Sequence, residues 1–167
     1  IGLDGTFLPY CGTFMIFSDY MRPSIRLAAL QKTPTLFVFT HDSIFVGEDG
    51  PTHQPVEQLD SLRVMPGINV FRHADGVETA MAYAYYLEQA VTAEPKNRAP
   101  VLLSLTRQAL PGLERPASFQ PKDVWKGGYI VSDPAEKADV VLLATGSEVS
   151  LAVEAATDLA ADGIKAR

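Results

Sequence analysis

The sequence holds one cysteine, Cys11, among 167 residues. A single thiol excludes an internal disulfide and any cysteine-based zinc cluster. A reducing, cytoplasmic setting is the default expectation. No run of about 18 apolar residues occurs, so no membrane-spanning helix is expected. Positive charge is also scarce: 14 Lys and Arg face 20 Asp and Glu, for a net charge of −6. A phosphate backbone needs clustered Lys and Arg, so a nucleic-acid partner is not expected. Internal repeats and low-complexity tracts are absent as well. What remains is an ordinary globular composition, 47% hydrophobic and 20% charged. The length suits one compact domain and part of another.

Apolar blocks alternate in type, with Pro and Gly between them. Residues 14–32 read as helix, and 34–40 as a buried strand rich in Leu, Phe and Val. A glycine-bearing loop follows over 41–55. Residues 56–64 suit a short helix and 68–73 a second strand. Asp75 followed by Glu78 resembles a capping box that opens the next helix. Ala80, Met81, Ala84 and Leu87 give that helix one apolar face. Residues 100–106 read as a third strand. Strands alternating with helices predict an α/β fold, a parallel sheet with helices on both faces.

From 108 to 137 the prolines at 111, 116, 121 and 134 interrupt every element. A surface linker is expected there, with a short hairpin near Gly127-Gly128-Tyr129. The domain division expected is 1–130, linker included, and 131–167 as the start of a second α/β domain. In that second part 139–145 reads as a buried strand and 148–162 as a helix stopped by Gly163. Residues 164–167 read as the opening of another strand. A lone strand–helix unit cannot cover both faces of a parallel sheet, so the chain is expected to be a fragment.

Open α/β sheets bind ligands beyond the carboxyl ends of their strands. The first predicted strand runs into Thr40-His41-Asp42 and the third into Thr106-Arg107-Gln108. An imidazole and a guanidinium therefore leave the same edge. Arg107 offers a planar fork of donors suited to phosphate or carboxylate, and suits a structural ion pair equally well. The segment 40–55 carries two of the three histidines, His41 and His53. Histidine moves protons near neutral pH and donates to sugar oxygens. Asp49 can accept from a sugar hydroxyl, and Gly47 and Gly50 allow tight turns. The competing reading is that each histidine only caps a surface turn. A metal site from His41 and His53 is not expected: their spacing is too wide for a helical pair, and no cysteine assists. Phe14, Phe17 and Tyr20 recur every three residues. Core packing is the plainer reading of that stripe; an aromatic platform for a flat heterocycle is the other.

Together these motifs resemble the transketolase family. The resemblance is carried by Thr40-His41-Asp42-Ser43-Ile44 and by the run from Gly47 to Pro55, Gly-Glu-Asp-Gly-Pro-Thr-His-Gln-Pro. Gly12-Thr13-Phe14 with Phe17 and Tyr20 is similar to the family's pyrimidine-binding helix. Arg72-His73-Ala74-Asp75, Arg107-Gln108-Ala109-Leu110, Gly127-Gly128-Tyr129 and Ala144-Thr145-Gly146-Ser147-Glu148-Val149 follow in the family's order. The resemblance implies the thiamine-diphosphate-binding fold, pyrimidine-type domain, and transfer of a two-carbon ketol unit from a ketose phosphate to an aldose phosphate. It implies that Phe17 stacks on the cofactor's aminopyrimidine with Phe14 and Tyr20 beside it. It implies that His53 helps move protons, that His41 and Arg107 hold the sugar phosphate, and that Asp49 reads the sugar's C2 hydroxyl. The implied cofactors are thiamine diphosphate and magnesium (Mg), with the Mg ligands outside this sequence. The implied partners are sugar phosphates of the xylulose 5-phosphate and ribose 5-phosphate class, and a second subunit in a homodimer. The pentose phosphate pathway and the Calvin cycle are the implied settings.

Some positions depart from the family pattern. Phe45 stands where many members have Gly, and His73, Thr106 and Ala109 replace the usual Pro, Ser and Asn. The family's catalytic glutamate and its diphosphate-binding domain have no counterpart in this sequence. These residues alone are therefore expected to lack transketolase activity. The alternatives are a related thiamine-diphosphate enzyme such as dihydroxyacetone synthase, and a catalytically dead binding module.

Overall fold

The computed structural model describes residues 1–167. Strands β1 (Tyr10–Phe14), β2 (Leu36–Thr40), β3 (Asn69–Arg72) and β4 (Val101–Ser104) form one parallel sheet in the order β1-β2-β4-β3. The helices are α1 (Ser18–Leu30), α2 (Gln58–Arg63), α3 (Gly76–Thr92) and α4 (Glu148–Ala161). The chain divides into two compact units: residues 1–72 with 83–109, and residues 73–82 with 110–167. No helix is long and apolar enough to cross a membrane.

The first unit holds the sheet. Its central strands are the apolar ones, and Phe37, Phe39 and Leu102 are buried with Met15, Ile25, Ala28 and Leu62. Ile25 and Ala28 come from α1 at helical spacing, so one face of α1 lies on the sheet. Burying a side chain of Phe or Leu size contributes roughly 1.5–3 kcal/mol, so this cluster is the main fastening of α1 and α2.

The helix expected over 14–32 begins only at Ser18. Before it, Tyr10–Phe14 pairs with β2 as an edge strand, and Met15–Phe17 makes one 3-10 turn. The aromatic and β-branched residues of Tyr-Cys-Gly-Thr-Phe suit a pleated edge, whereas Gly12 disfavours a helix. Gly12 also permits the pairing: a Cβ there would stand 2.8 Å from the Val38 carbonyl oxygen. The three-residue aromatic spacing thus runs across a strand end, a turn and a helix start.

Helix α3 forms where expected but buries a different face. Ala82, Tyr86 and Ala90, four residues apart, are buried, while Ala80 and Leu87 are exposed. The helix is apolar on most sides, so periodicity alone did not select the face. Tyr86 is decisive because its hydroxyl donates to the Pro9 carbonyl at 3.1 Å.

The second unit is organised by a buried charge pair. Asp75 caps α3, accepting from the Glu78 amide at 3.1 Å. Glu78 reaches back to the Ala74 amide at 2.8 Å, one residue beyond the usual capping-box partner. Both guanidinium arms of Arg115 donate to the two Asp75 oxygens at 2.8 Å. The Asp75 and Arg115 side chains are only 2% and 8% exposed. Burial pushes the Asp75 carboxyl up, but hydrogen bonds from Arg115 and from the Glu78 and Leu113 amides outweigh it and hold the carboxyl at about 2. Tyr129 donates to Glu78 at 2.6 Å, and burial together with that bond pushes its phenol up to about 12. The linker is therefore pinned. Residues 121–126 form a 3-10 helix ended by Gly127 at φ 87°, and no strand pair forms about residues 127–129, where a hairpin was expected. Pro121 at its first position and reciprocal Gln120–Asp123 capping explain the difference.

Further along, the segments read as strands meet in a single parallel bridge, Val140 to Ala166, joined through α4. The Asp139 amide donates to Lys165 at 2.8 Å and the Arg167 amide to Val140 at 3.0 Å. This is a strand–helix–strand arrangement in its shortest form.

Candidate active site

The site lies at the carboxyl edge of the sheet and is built from strand register. Phe14 pairs with Thr40, so His41 leaves β2 beside the Phe14 ring. The two rings stack with centroids 3.7 Å apart and planes at 21°. His41 has φ 58°, a left-handed conformation that costs an L-residue roughly 1–2 kcal/mol. That conformation turns the chain off the strand, and Thr40 Oγ1 lies 2.9 Å from His41 Nδ1.

The next residue turns back inward. Arg72 Nε donates to Asp42 Oδ2 at 2.7 Å and Ser104 Oγ donates to the same oxygen at 3.2 Å. The Asp42 and Arg72 side chains are 1% and 9% exposed. Ser43 then accepts from the Phe45 amide at 3.3 Å to open a short turn whose Val46 is fully buried. Phe45 itself is exposed. Gly47 and Gly50, at φ 83° and 76°, supply conformations a side chain would strain. They bring the chain back so that Gln54 donates to the Ile44 carbonyl at 3.4 Å.

His53 thereby arrives edge-on to Phe17, with centroids 5.3 Å apart and planes at 89°, and 6.2 Å from Phe14. Thr52 Oγ1 lies 2.9 Å from His53 Nδ1, matching the Thr40–His41 pair. Just downstream, buried Gln58 donates to Asp19 of α1 at 2.9 Å, which ties the end of the loop to the helix carrying Tyr20.

Phe14, Phe17, Tyr20, His41 and His53 thus form one aromatic cluster. Phe14 and Phe17 are half-buried against each other and against the imidazoles, whereas Tyr20 is 83% exposed, so the stripe does not form one core face. Arg107 follows β4 and meets the same loop, with its guanidinium 3.5 Å from Glu48. A Cβ on Gly47 would lie 3.8 Å from that guanidinium. Both partners are exposed, and surface pairs of this kind contribute about 0–1 kcal/mol, so a stronger anion can displace Glu48. Asp49 sits exposed in the same turn, with no hydrogen bond to either imidazole. No group of three or more His, Cys, Asp or Glu residues is placed to hold a metal ion.

Sequence reading passed over Asp42, Arg72 and Ser104. A signal was present: an acid two residues past one strand, and an arginine and a serine at the ends of two others.

Comparison with known proteins agrees with this geometry. The family described as transketolase, pyrimidine binding domain, matches residues 1–112, and the transketolase-like C-terminal domain matches residues 127–167. A transketolase of Nostoc sp. is 52% identical over the whole chain, which covers 24% of that protein. A crystal structure of a Pichia stipitis transketolase in complex with sedoheptulose 7-phosphate is 46% identical with a TM-score of 0.82, covering 94% of this chain and 22% of that one. Transketolase from Leishmania mexicana superposes with a TM-score of 0.84 at 39% identity, over 96% of this chain and 22% of that one. The chain spans about a quarter of the length of the relatives it matches. It belongs to the transketolase family.

Proposed function

We propose that this chain is the substrate-facing, pyrimidine-side portion of a thiamine-diphosphate-dependent transketolase. The observation that carries the reading is the gathering of His41 and His53 on Phe14 and Phe17, with Arg107 held only by Glu48 of the same loop. The names of its relatives support it, as does the sugar phosphate in the Pichia stipitis complex.

The residues present suit a flat heterocycle. The Phe14, Phe17 and Tyr20 rings are spaced 6.4 and 6.2 Å apart and partly open, so Phe17 would hold an aminopyrimidine with Phe14 and Tyr20 beside it. Thiamine diphosphate, when bound, supplies a nucleophilic carbon and an electron sink. The rest of the work falls to this chain. Arg107 exchanges Glu48 for a phosphate that takes both arms of its fork. His41, fixed against Phe14, donates a second contact to the sugar phosphate. Asp49 accepts the C2 hydroxyl. With Thr52 at its Nδ1, His53 moves protons through Nε2. The rigid loop supplies orientation, which is a large part of such catalysis.

On this reading residues 1–130 serve the pyrimidine-binding domain with its linker, and 131–167 begin the C-terminal domain. Magnesium is held by residues outside this chain. The complete enzyme is a cytoplasmic homodimer of the pentose phosphate pathway and the Calvin cycle. The test is ketol transfer from xylulose 5-phosphate to ribose 5-phosphate by the complete polypeptide with thiamine diphosphate and magnesium. Turnover is expected, and none by the 167-residue chain alone. No transfer by the complete polypeptide overturns the reading; transfer to formaldehyde but not to ribose 5-phosphate replaces it with dihydroxyacetone synthase.

A further inference from the structure

We propose that Asp42 is a positioning residue for His41, acting through a buried knot with Arg72 and Ser104; the inference rests on the reading of His41 as a sugar-phosphate ligand.

The knot sits where three strands end. Arg72 closes β3 and Ser104 closes β4, and the two are register partners. Ser104 is also the partner of Phe39 in β2. One carboxylate two residues past β2 therefore takes hydrogen bonds from the end of its neighbour β4, at 3.2 Å, and from the end of β3, the strand beyond, at 2.7 Å. His41 lies between that anchor and Thr40, which is held in register with Phe14. A non-glycine residue at φ 58° returns to ordinary backbone unless both flanks are fixed. Thr40 fixes one flank and Asp42 the other.

Stability alone is a poor account of this arrangement. Buried ion pairs are often no more stable than apolar residues of equal size, and their best-attested use is to fix geometry. Here the Asp42 Oδ1 atom is buried with no partner, so the carboxylate is retained although half of its accepting capacity is unmet. The residue gained by that arrangement is its neighbour, whose ring is stacked on Phe14 at 3.7 Å.

The test uses the complete polypeptide carrying Asp42→Asn, His41→Ala and both together. Asp42→Asn keeps the size of the side chain and removes the charge facing Arg72. The KM for xylulose 5-phosphate is expected to rise about tenfold or more, as misplacement of a binding group produces. In the His41→Ala background the same substitution is expected to change KM by less than about twofold, because residues acting through one another are not additive. A second readout does not depend on activity. The His41 Cε1 proton, shielded by the Phe14 ring, is expected to move toward the free-histidine position in Asp42→Asn. Should Asp42→Asn fail to fold, Ser104→Ala removes one bond to the same oxygen and is expected to act in the same direction, more weakly. An unmoved His41 resonance in a folded variant overturns the inference, and so does a KM effect that persists undiminished in the His41→Ala background. Absence of ketol transfer in the unmutated protein, with a His41 resonance that still responds, refutes the functional reading and leaves the positioning role standing.

Discussion

Replacing His53 with alanine is expected to lower kcat of the complete enzyme by about a hundred- to ten-thousandfold, the span that a positioned acid–base group contributes. The imidazole stands edge-on to Phe17 at 5.3 Å, so its orientation is set by packing. Its Nδ1 is engaged by Thr52 at 2.9 Å, so on the proposed function Nε2 is the nitrogen left to exchange a proton. Steady-state kinetics separates proton transfer from binding. A fall in kcat with little change in KM supports proton transfer at His53. A rise in KM alone would make His53 a binding group only.

The second large effect concerns stability. Arg115→Ala is expected to destabilise the folded chain by about 3–5 kcal/mol, because it strands Asp75 as a buried charge without its partner. Asp75 is 2% exposed and loses two hydrogen bonds of 2.8 Å at once. The same substitution removes one of the two hydrogen bonds of Tyr129, whose hydroxyl accepts from Arg115 Nε at 3.1 Å and donates to Glu78. Denaturant unfolding reads the loss, and a change below about 1 kcal/mol would contradict the assignment.

The pair also predicts an acid limb. The Asp75 carboxyl titrates at about 2 in the folded chain against an ordinary 3.8, so the unfolded state binds its proton first as pH falls. Its contribution is complete above pH 3.8 and is lost on descending toward pH 2, about 2 kcal/mol in all. Arg115→Ala removes the strongest lowering influence, and the variant's acid limb is expected to flatten. An unchanged slope between those pH values would place the titration elsewhere.

The strand positions were legible in the sequence because apolar blocks of five to seven residues sat between prolines and glycines. Leu36–Thr40, Asn69–Arg72 and Val101–Ser104 fall inside the expected ranges, each two or three residues shorter. Strand β1 was not legible. Only its last residue, Phe14, belongs to the aromatic spacing that runs on through Phe17 and Tyr20, and the strand pairing rests on the close approach of Gly12 to Val38, which the sequence does not display. The buried face of α3 was hidden for a related reason, since a helix apolar on most sides offers no contrast. At the site, the loop glycines and the two histidines announced themselves through composition and strand-end position. The Asp42, Arg72 and Ser104 knot did not, because three residues 30 and 62 positions apart become neighbours only through the parallel register.

The central claim is that His41, His53 and Arg107 serve one sugar phosphate. It is tested most directly by a crystal structure of the complete protein with xylulose 5-phosphate bound. The account predicts that the guanidinium of Arg107 leaves Glu48 for the phosphate and that both imidazoles donate to the same molecule. A phosphate bound elsewhere, with Arg107 still on Glu48, would contradict it.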